Sequence, residues 1–138
     1  MLASFGNNIE DRLGRVRYLA FYLAGGIAAT FVHVMLQPKS AVPVVGASGA
    51  IAAVMGAYLA LFPNVRVKTL FIFFFIMFRD VPAKWVLGIW FFSQFLTAVN
   101  PNSGVAWGAH VGGFVFGLAV GLVLKATADR PRALQGPY

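Results

Sequence analysis

The stretch WVLGIWFFSQFLTAVNPNSGVAWGAHVGGFVFGLAVGLVL, from Trp85 to Leu124, contains no charged residue. About 20 apolar residues cross a bilayer, so a run of this length holds two crossings. Asn100-Pro101-Asn102-Ser103-Gly104 divides it, because a proline and a cluster of polar groups are costly in lipid unless they sit at an interface. Two helices are expected, over 82–99 and 105–124. Pro82 suits the first turn of the former, where its missing N–H costs nothing, and Lys84 can reach back to the headgroups.

Upstream, the uncharged runs Tyr18–Pro38 and Ser40–Val65 are each long enough to span, and helices are expected over 18–36 and 45–62. The run Thr69–Phe78 is not, since ten helical residues reach only about 15 Å. It is expected to be an interfacial or partly inserted apolar segment. With 59% hydrophobic residues, 11% charged residues and a mean hydropathy of +0.78, the chain has too little polar surface to coat a soluble core. The alternation of a membrane β-strand is not evident, whereas the apolar runs are long and continuous. The expected fold class is an all-α membrane protein. It is a polytopic helical bundle of four transmembrane helices plus the interfacial segment, one membrane domain over residues 1–138 with the tail 125–138 outside the bilayer.

A net charge of +7 could suit nucleic acid, but the cations flank apolar spans and do not gather on one polar domain. The lipid bilayer is the expected partner, and no nucleic acid is. If the four helices span and 69–78 does not, every lysine and arginine except Lys39 falls on one face. The positive-inside rule then places the termini and the 63–81 segment in the cytoplasm, with the 37–44 and 100–104 loops outward. The localisation expected is a bacterial cytoplasmic (inner) membrane. A fifth span at 69–78 would leave the cations split five against six, which the rule disfavours. Met1–Asn8 lack the basic start and long apolar core of a signal peptide. With no cysteine, two histidines and four acidic residues, neither a metal site nor a cofactor is expected.

Polar groups inside spans are costly and are functional candidates by default. Thr30, Ser93 and Thr97 can bond to a carbonyl one turn back, and Gln94 can hold helices together. His33, near the outward end of its helix, can reach the interface. Ser48 and His110 differ, because the topology puts both roughly 6–9 Å below the outward face on helices entering from the same side. Matching depth is the first condition for a hydrogen-bonded nucleophile and base. Gly46-Ala47-Ser48-Gly49-Ala50 sets the serine at a helix N-terminus, between glycines that permit close approach, where N–H groups favour a developing oxyanion. Ala50 and the absence of a preceding strand separate this from the Gly-x-Ser-x-Gly elbow of soluble esterases. Gly108-Ala109-His110-Val111-Gly112-Gly113 continues to Gly117 and Gly121, a row of small residues that packs against a neighbouring helix. No Asp or Glu lies within a span, so the site would be a Ser–His dyad without an orienting carboxylate.

Gly46-Ala47-Ser48-Gly49, and Ala109-His110-Val111-Gly112-Gly113-Phe114-Val115-Phe116-Gly117, resemble the Gly-x-Ser-Gly and Ala-His-x-x-Gly-x-x-x-Gly signatures of rhomboid intramembrane serine proteases. Phe5-Gly6-Asn7-Asn8-Ile9-Glu10-Asp11-Arg12-Leu13-Gly14 is similar to the family's Phe-Gly…Glu…Gly stretch, so the resemblance covers nearly the whole chain. It implies hydrolysis of peptide bonds in transmembrane protein substrates that span once, with Ser48 attacking and His110 taking its proton. It implies oxyanion or close-packing roles for Gly46, Gly49, Gly113 and Gly117. Water must reach a dyad at that depth, so a hydrated mouth rimmed by Asn100 to Ser103 is expected. Rhomboids typically carry six helices and the four here match their last four, so the sequence is expected to be a fragment that lacks the first two. The family's second helix supplies a His and an Asn to the oxyanion, and no position here matches them. Loss of one oxyanion donor costs about 100- to 1,000-fold in rate, so weak or no activity is expected of this chain alone. Two other readings compete. A noncatalytic rhomboid-like binding protein is disfavoured by retention of both Ser48 and His110. A channel or transporter fragment would bring further intramembrane charges or paired broken helices.

Overall fold

The computed structural model describes residues 2–44, 46–72, 75–100 and 102–128. Among these, the elements in chain order are α1 (Leu2–Leu13), α2 (Arg15–Leu36), α3 (Gly46–Leu61), the strands β1 (Arg66–Ile72) and β2 (Ile76–Pro82), α4 (Ala83–Ala98) and α5 (Trp107–Ala128). A helix lies at each of the four expected places, with boundaries that differ by up to four residues.

Two parts of the expectation change. The bundle is not all-helical: β1 and β2 pair as an antiparallel hairpin, with Arg66 opposite Pro82, Lys68 opposite Asp80 and Ile72 opposite Ile76. The expected interfacial segment 69–78 therefore falls across its two strands. Along β1 exposure alternates from Arg66 to Thr69, the period-2 mark of a strand, and Val67, Thr69, Ile76 and Val81 suit one by their β-branching. Backbone bonds from Ala83 N–H to the Val65 carbonyl (2.8 Å) and from Lys84 N–H to the Pro63 carbonyl (2.9 Å) tie the hairpin's base to the start of α4. The second change is α1. Phe5 and Ile9, one turn apart, are buried while Asn7, Asn8 and Asp11 are exposed, so this is an amphipathic helix lying on the bundle. Phe5 meets the Tyr58 ring edge-on at 4.8 Å, and Asn8 Nδ2 donates to Tyr58 Oη at 3.1 Å. Gly14, at φ 81° and ψ 160°, separates α1 from α2 in a conformation that a side chain would strain.

Helix α3 is the axis of the fold. Every residue from Ala52 to Tyr58 is buried, as suits a helix apolar on all sides. Helix α5 lies parallel to it with backbones touching. Gly113 sits against the Gly49 carbonyl, Gly117 against the Ala53 carbonyl, and a Cβ placed on Gly121 would lie 2.9 Å from the Ala57 carbonyl oxygen. Steps of four on both helices keep the small residues on facing stripes. Helix α2 runs antiparallel against both, with Gly25 beside Ala53, Ala29 beside Gly49 and Val32 beside Gly112.

Helices α2 and α5 have 22 residues each and a mean hydropathy of 1.8, enough to cross a membrane. Helices α3 and α4 have 16 residues, reaching about 24 Å of a roughly 30 Å hydrocarbon core. Helix α4 is peripheral. It buries only Ala83, Leu87 and Gln94, and leaves Ile89, Phe92 and Leu96 about 70% exposed, an outer face suited to lipid.

Candidate active site

The parallel packing of α3 and α5 brings the two helix starts to the same end of the bundle. Ser48 is the third residue of α3, and His110 the fourth of α5. Backbone N–H groups of the first turn of α3, which Gly46 opens, point toward this end. The helices touch between the two polar residues. Gly49, immediately after Ser48, lies against Gly113, and a Cβ built on Gly49 would lie 3.6 Å from the Ala109 carbonyl oxygen. Ala52, one turn beyond Ser48, is 3.3 Å from the position of a Gly113 Cβ, so the Ser48 face of α3 is the one turned to α5. Both Ser48 and His110 are half-buried. Of the glycines singled out in the sequence, Gly49, Gly113 and Gly117 all lie in this helix contact.

His110 is held from α4. Its Nδ1 is 2.8 Å from Gln94 Oε1, and its ring lies 5.8 Å from the Trp90 ring. Gln94 Nε2 in turn donates to the Trp90 carbonyl (3.3 Å) and to Ser93 Oγ (3.2 Å), while Ser93 Oγ donates to the same carbonyl at 2.5 Å. Below this network Phe114 stacks on Phe91 at 4.6 Å, closing the α4–α5 contact with apolar surface. The sequence reading of Gln94 as a helix-to-helix link thus finds a specific partner.

His33 does not reach the interface. It is 3% exposed and faces Gly108 of α5, two residues before His110. A Cβ on Gly108 would lie 3.4 Å from both His33 Nδ1 and Gln37 Oε1, and neither atom has a hydrogen-bond partner among the described residues. At the same end of the bundle a cavity of about 530 Å³ opens between the α2–α3 loop and the α4–α5 loop, with Gln37, Ser40, Thr97, Asn100, Ser103 and Trp107 in its walls. Asn100 and Ser103 are in its walls, but Ser48 and His110 are not, so this cavity is not the mouth over the dyad that the sequence leads one to expect.

A protein-family model described as the rhomboid domain matches residues 1–127. Among curated proteins, the chain is 30% identical over 144 residues to "Rhomboid protein 1, mitochondrial" of Saccharomyces cerevisiae, covering 95% of this chain and 38% of that protein. It is 30% identical over 130 residues to the "Presenilin-associated rhomboid-like protein, mitochondrial" of Bos taurus, covering 86% of this chain and 31% of that one. It is 35% identical over 68 residues to "Presenilin-associated rhomboid-like protein A, mitochondrial" of Danio rerio, covering 48% and 18%. The chain thus spans well under half the length of the curated relatives it matches. No solved structure matches it.

Proposed function

This chain belongs to the rhomboid family of membrane proteins, and we propose that it carries the dyad of an intramembrane serine endopeptidase, with Ser48 as nucleophile and His110 as general base. The observation that carries the reading is the contact of Gly49 with Gly113 and Ala109, which sets the residue before Gly49 and the residue after Ala109 on adjoining stretches of parallel helices. Members of the family are usually serine proteases acting on transmembrane proteins, so the substrate class proposed is the single-span membrane protein.

In the proposed reaction His110 Nε2 takes the proton of Ser48 Oγ as the oxygen attacks the scissile carbonyl. The oxyanion develops beside the N-terminal N–H groups of α3, whose dipole favours negative charge. His110 then gives the proton to the leaving amine, and water releases the acyl group by the reverse sequence. Gly49 and Gly113 serve by letting the helices approach this closely, and Gly46 by opening the helix that carries Ser48.

For topology, we propose that α2, α3, α4 and α5 all span, with α3 and α4 crossing where the bilayer thins locally. The termini and hairpin would lie on the basic, cytoplasmic side of a bacterial inner membrane, and the cavity between the α2–α3 and α4–α5 loops on the outer side. The same charge bias would set the sidedness in a mitochondrial membrane, the location in the names of the relatives above.

The test is labelling in lipid vesicles by a fluorophosphonate, which forms a covalent bond with an activated serine. Label expected on the parent chain should disappear in both Ser48→Ala and His110→Ala. A folded parent that takes no label would overturn the protease reading of this chain and favour a noncatalytic, client-holding role.

A further inference from the structure

We infer that Gln94 is a positioning residue for His110, its amide oxygen receiving the Nδ1 proton and so selecting the tautomer whose Nε2 lone pair can serve as base. The inference deepens the Ser48–His110 reading and rests on it for the meaning of the base.

Helix α4 turns three residues fully inward, and two of them are the apolar Ala83 and Leu87. The third is a glutamine, 7% exposed, on a helix surrounded by apolar side chains. Burying an amide without partners is costly, yet here both ends are occupied. The direction of the amide follows from its neighbours. The Trp90 carbonyl can only accept, so the NH2 group must face it, at 3.3 Å. The Ser93 hydroxyl sends its own proton to that carbonyl, leaving its oxygen to accept the second Nε2 hydrogen. Oε1 is therefore the atom that faces His110, at 2.8 Å, and a hydrogen bond there requires the imidazole proton on Nδ1. The other ring nitrogen, Nε2, then carries the lone pair.

An isolated neutral imidazole favours the opposite tautomer, with its proton on Nε2, which is the wrong one for taking a proton through that atom. No carboxylate is at hand to correct it, because all four acidic residues lie outside the helical spans. A neutral amide can do the orienting half of a carboxylate's work without stabilising the imidazolium. Where a triad's carboxylate is exchanged for an amide that leaves the imidazole in the wrong tautomer, the rate falls by about 10,000-fold. Loss of an amide that only orients should cost less, about 10- to 100-fold.

The experiment uses nitrogen NMR on the protein in bilayers with 15N-labelled histidine. The chain has two histidines, and His33→Gln assigns the signals. At neutral pH the parent should show His110 protonated at Nδ1 and bare at Nε2. Gln94→Leu should move the proton to Nε2 and slow fluorophosphonate labelling of Ser48 by about 10- to 100-fold, at an unchanged melting temperature. Gln94→Glu, which keeps an acceptor oxygen in place, should restore the Nδ1–H tautomer and most of the rate. A merely structural glutamine would leave the His110 nitrogen signals alike in all three proteins, which would overturn the inference. So would a parent protonated at Nε2. A parent that shows the Nδ1–H tautomer, loses it in Gln94→Leu and yet takes no label would uphold the role of Gln94 while overturning the protease reading.

Discussion

Gly117 of α5 rests against the backbone carbonyl of Ala53 on α3, with no room for a side chain between them. This contact lies one turn from the Gly49–Gly113 contact, so it sets how closely the helix bearing His110 can approach the helix bearing Ser48. Gly117→Ala should destabilise the protein by roughly 1–3 kcal/mol through overpacking. Thermal unfolding in one detergent checks this against Gly88→Ala, where a new Cβ meets nothing within 4 Å. That control should be neutral or stabilising by up to about 1 kcal/mol, because glycine is a poor helix former.

The Asn8–Tyr58 bond and the Phe5–Tyr58 ring contact fasten α1 to the centre of the bundle. Tyr58→Phe should cost about 0.5–1.5 kcal/mol, the usual worth of one hydrogen bond. Phe5→Ala should cost about 3–5 kcal/mol, as for other buried phenylalanines. Denaturant unfolding measures both, and equal effects would show that the ring contact contributes nothing beyond the hydroxyl.

The hairpin leaves Phe75, Ile76 and Phe78 at least 64% exposed, beside the cations Arg66, Lys68 and Arg79. Such a surface is suited to the headgroup region, where apolar side chains enter the acyl boundary and cations stay at the phosphates. The chain has no cysteine, so Phe78→Cys offers one site for an environment-sensitive dye. Emission should shift to the blue in vesicles and be quenched by bromine-labelled lipid. Water-like emission would place the hairpin outside the membrane surface.

Single cysteines test the topology. Lys39→Cys and Asn102→Cys should react with a membrane-impermeant maleimide from one side of sealed vesicles, and Lys68→Cys only from the other. Reaction of all three from the same side would overturn the four-span arrangement.

Much of this molecule is legible in the sequence, and the failures have physical causes. The helices of residues 15–36 and 107–128 announce themselves by the long uncharged stretches within them, 18–36 and 107–124, and the row Gly113, Gly117, Gly121 announces a close partner, which α3 proves to be. The hairpin was obscured because a run of consecutive apolar residues looks the same for an inserted segment and for a strand; only the Arg66-Val67-Lys68-Thr69 alternation signalled it. Helix α1 gives only a weak sequence signal, because Phe5, Ile9 and Leu13 form a narrow apolar stripe among polar residues. The link from Gln94 to His110 depends on the rotation of α4 about its own axis, and a nearly uniform apolar helix carries little sequence information about rotation.

The pairing of α3 with α5 also dictates an order of assembly. Gly49 and Gly113 stand 64 positions apart, with the hairpin and the whole of α4 between them, whereas α2 and α3 are neighbours along the chain. Closing the longer loop carries the greater entropic cost and comes after the local pairing. A nascent chain therefore holds Ser48 in place well before it holds His110, and the glycine stripe that receives α5 waits beside it unfilled. The hairpin and α4 must both be made before the histidine of the proposed dyad arrives with α5, so the serine stands without its proposed base through that interval.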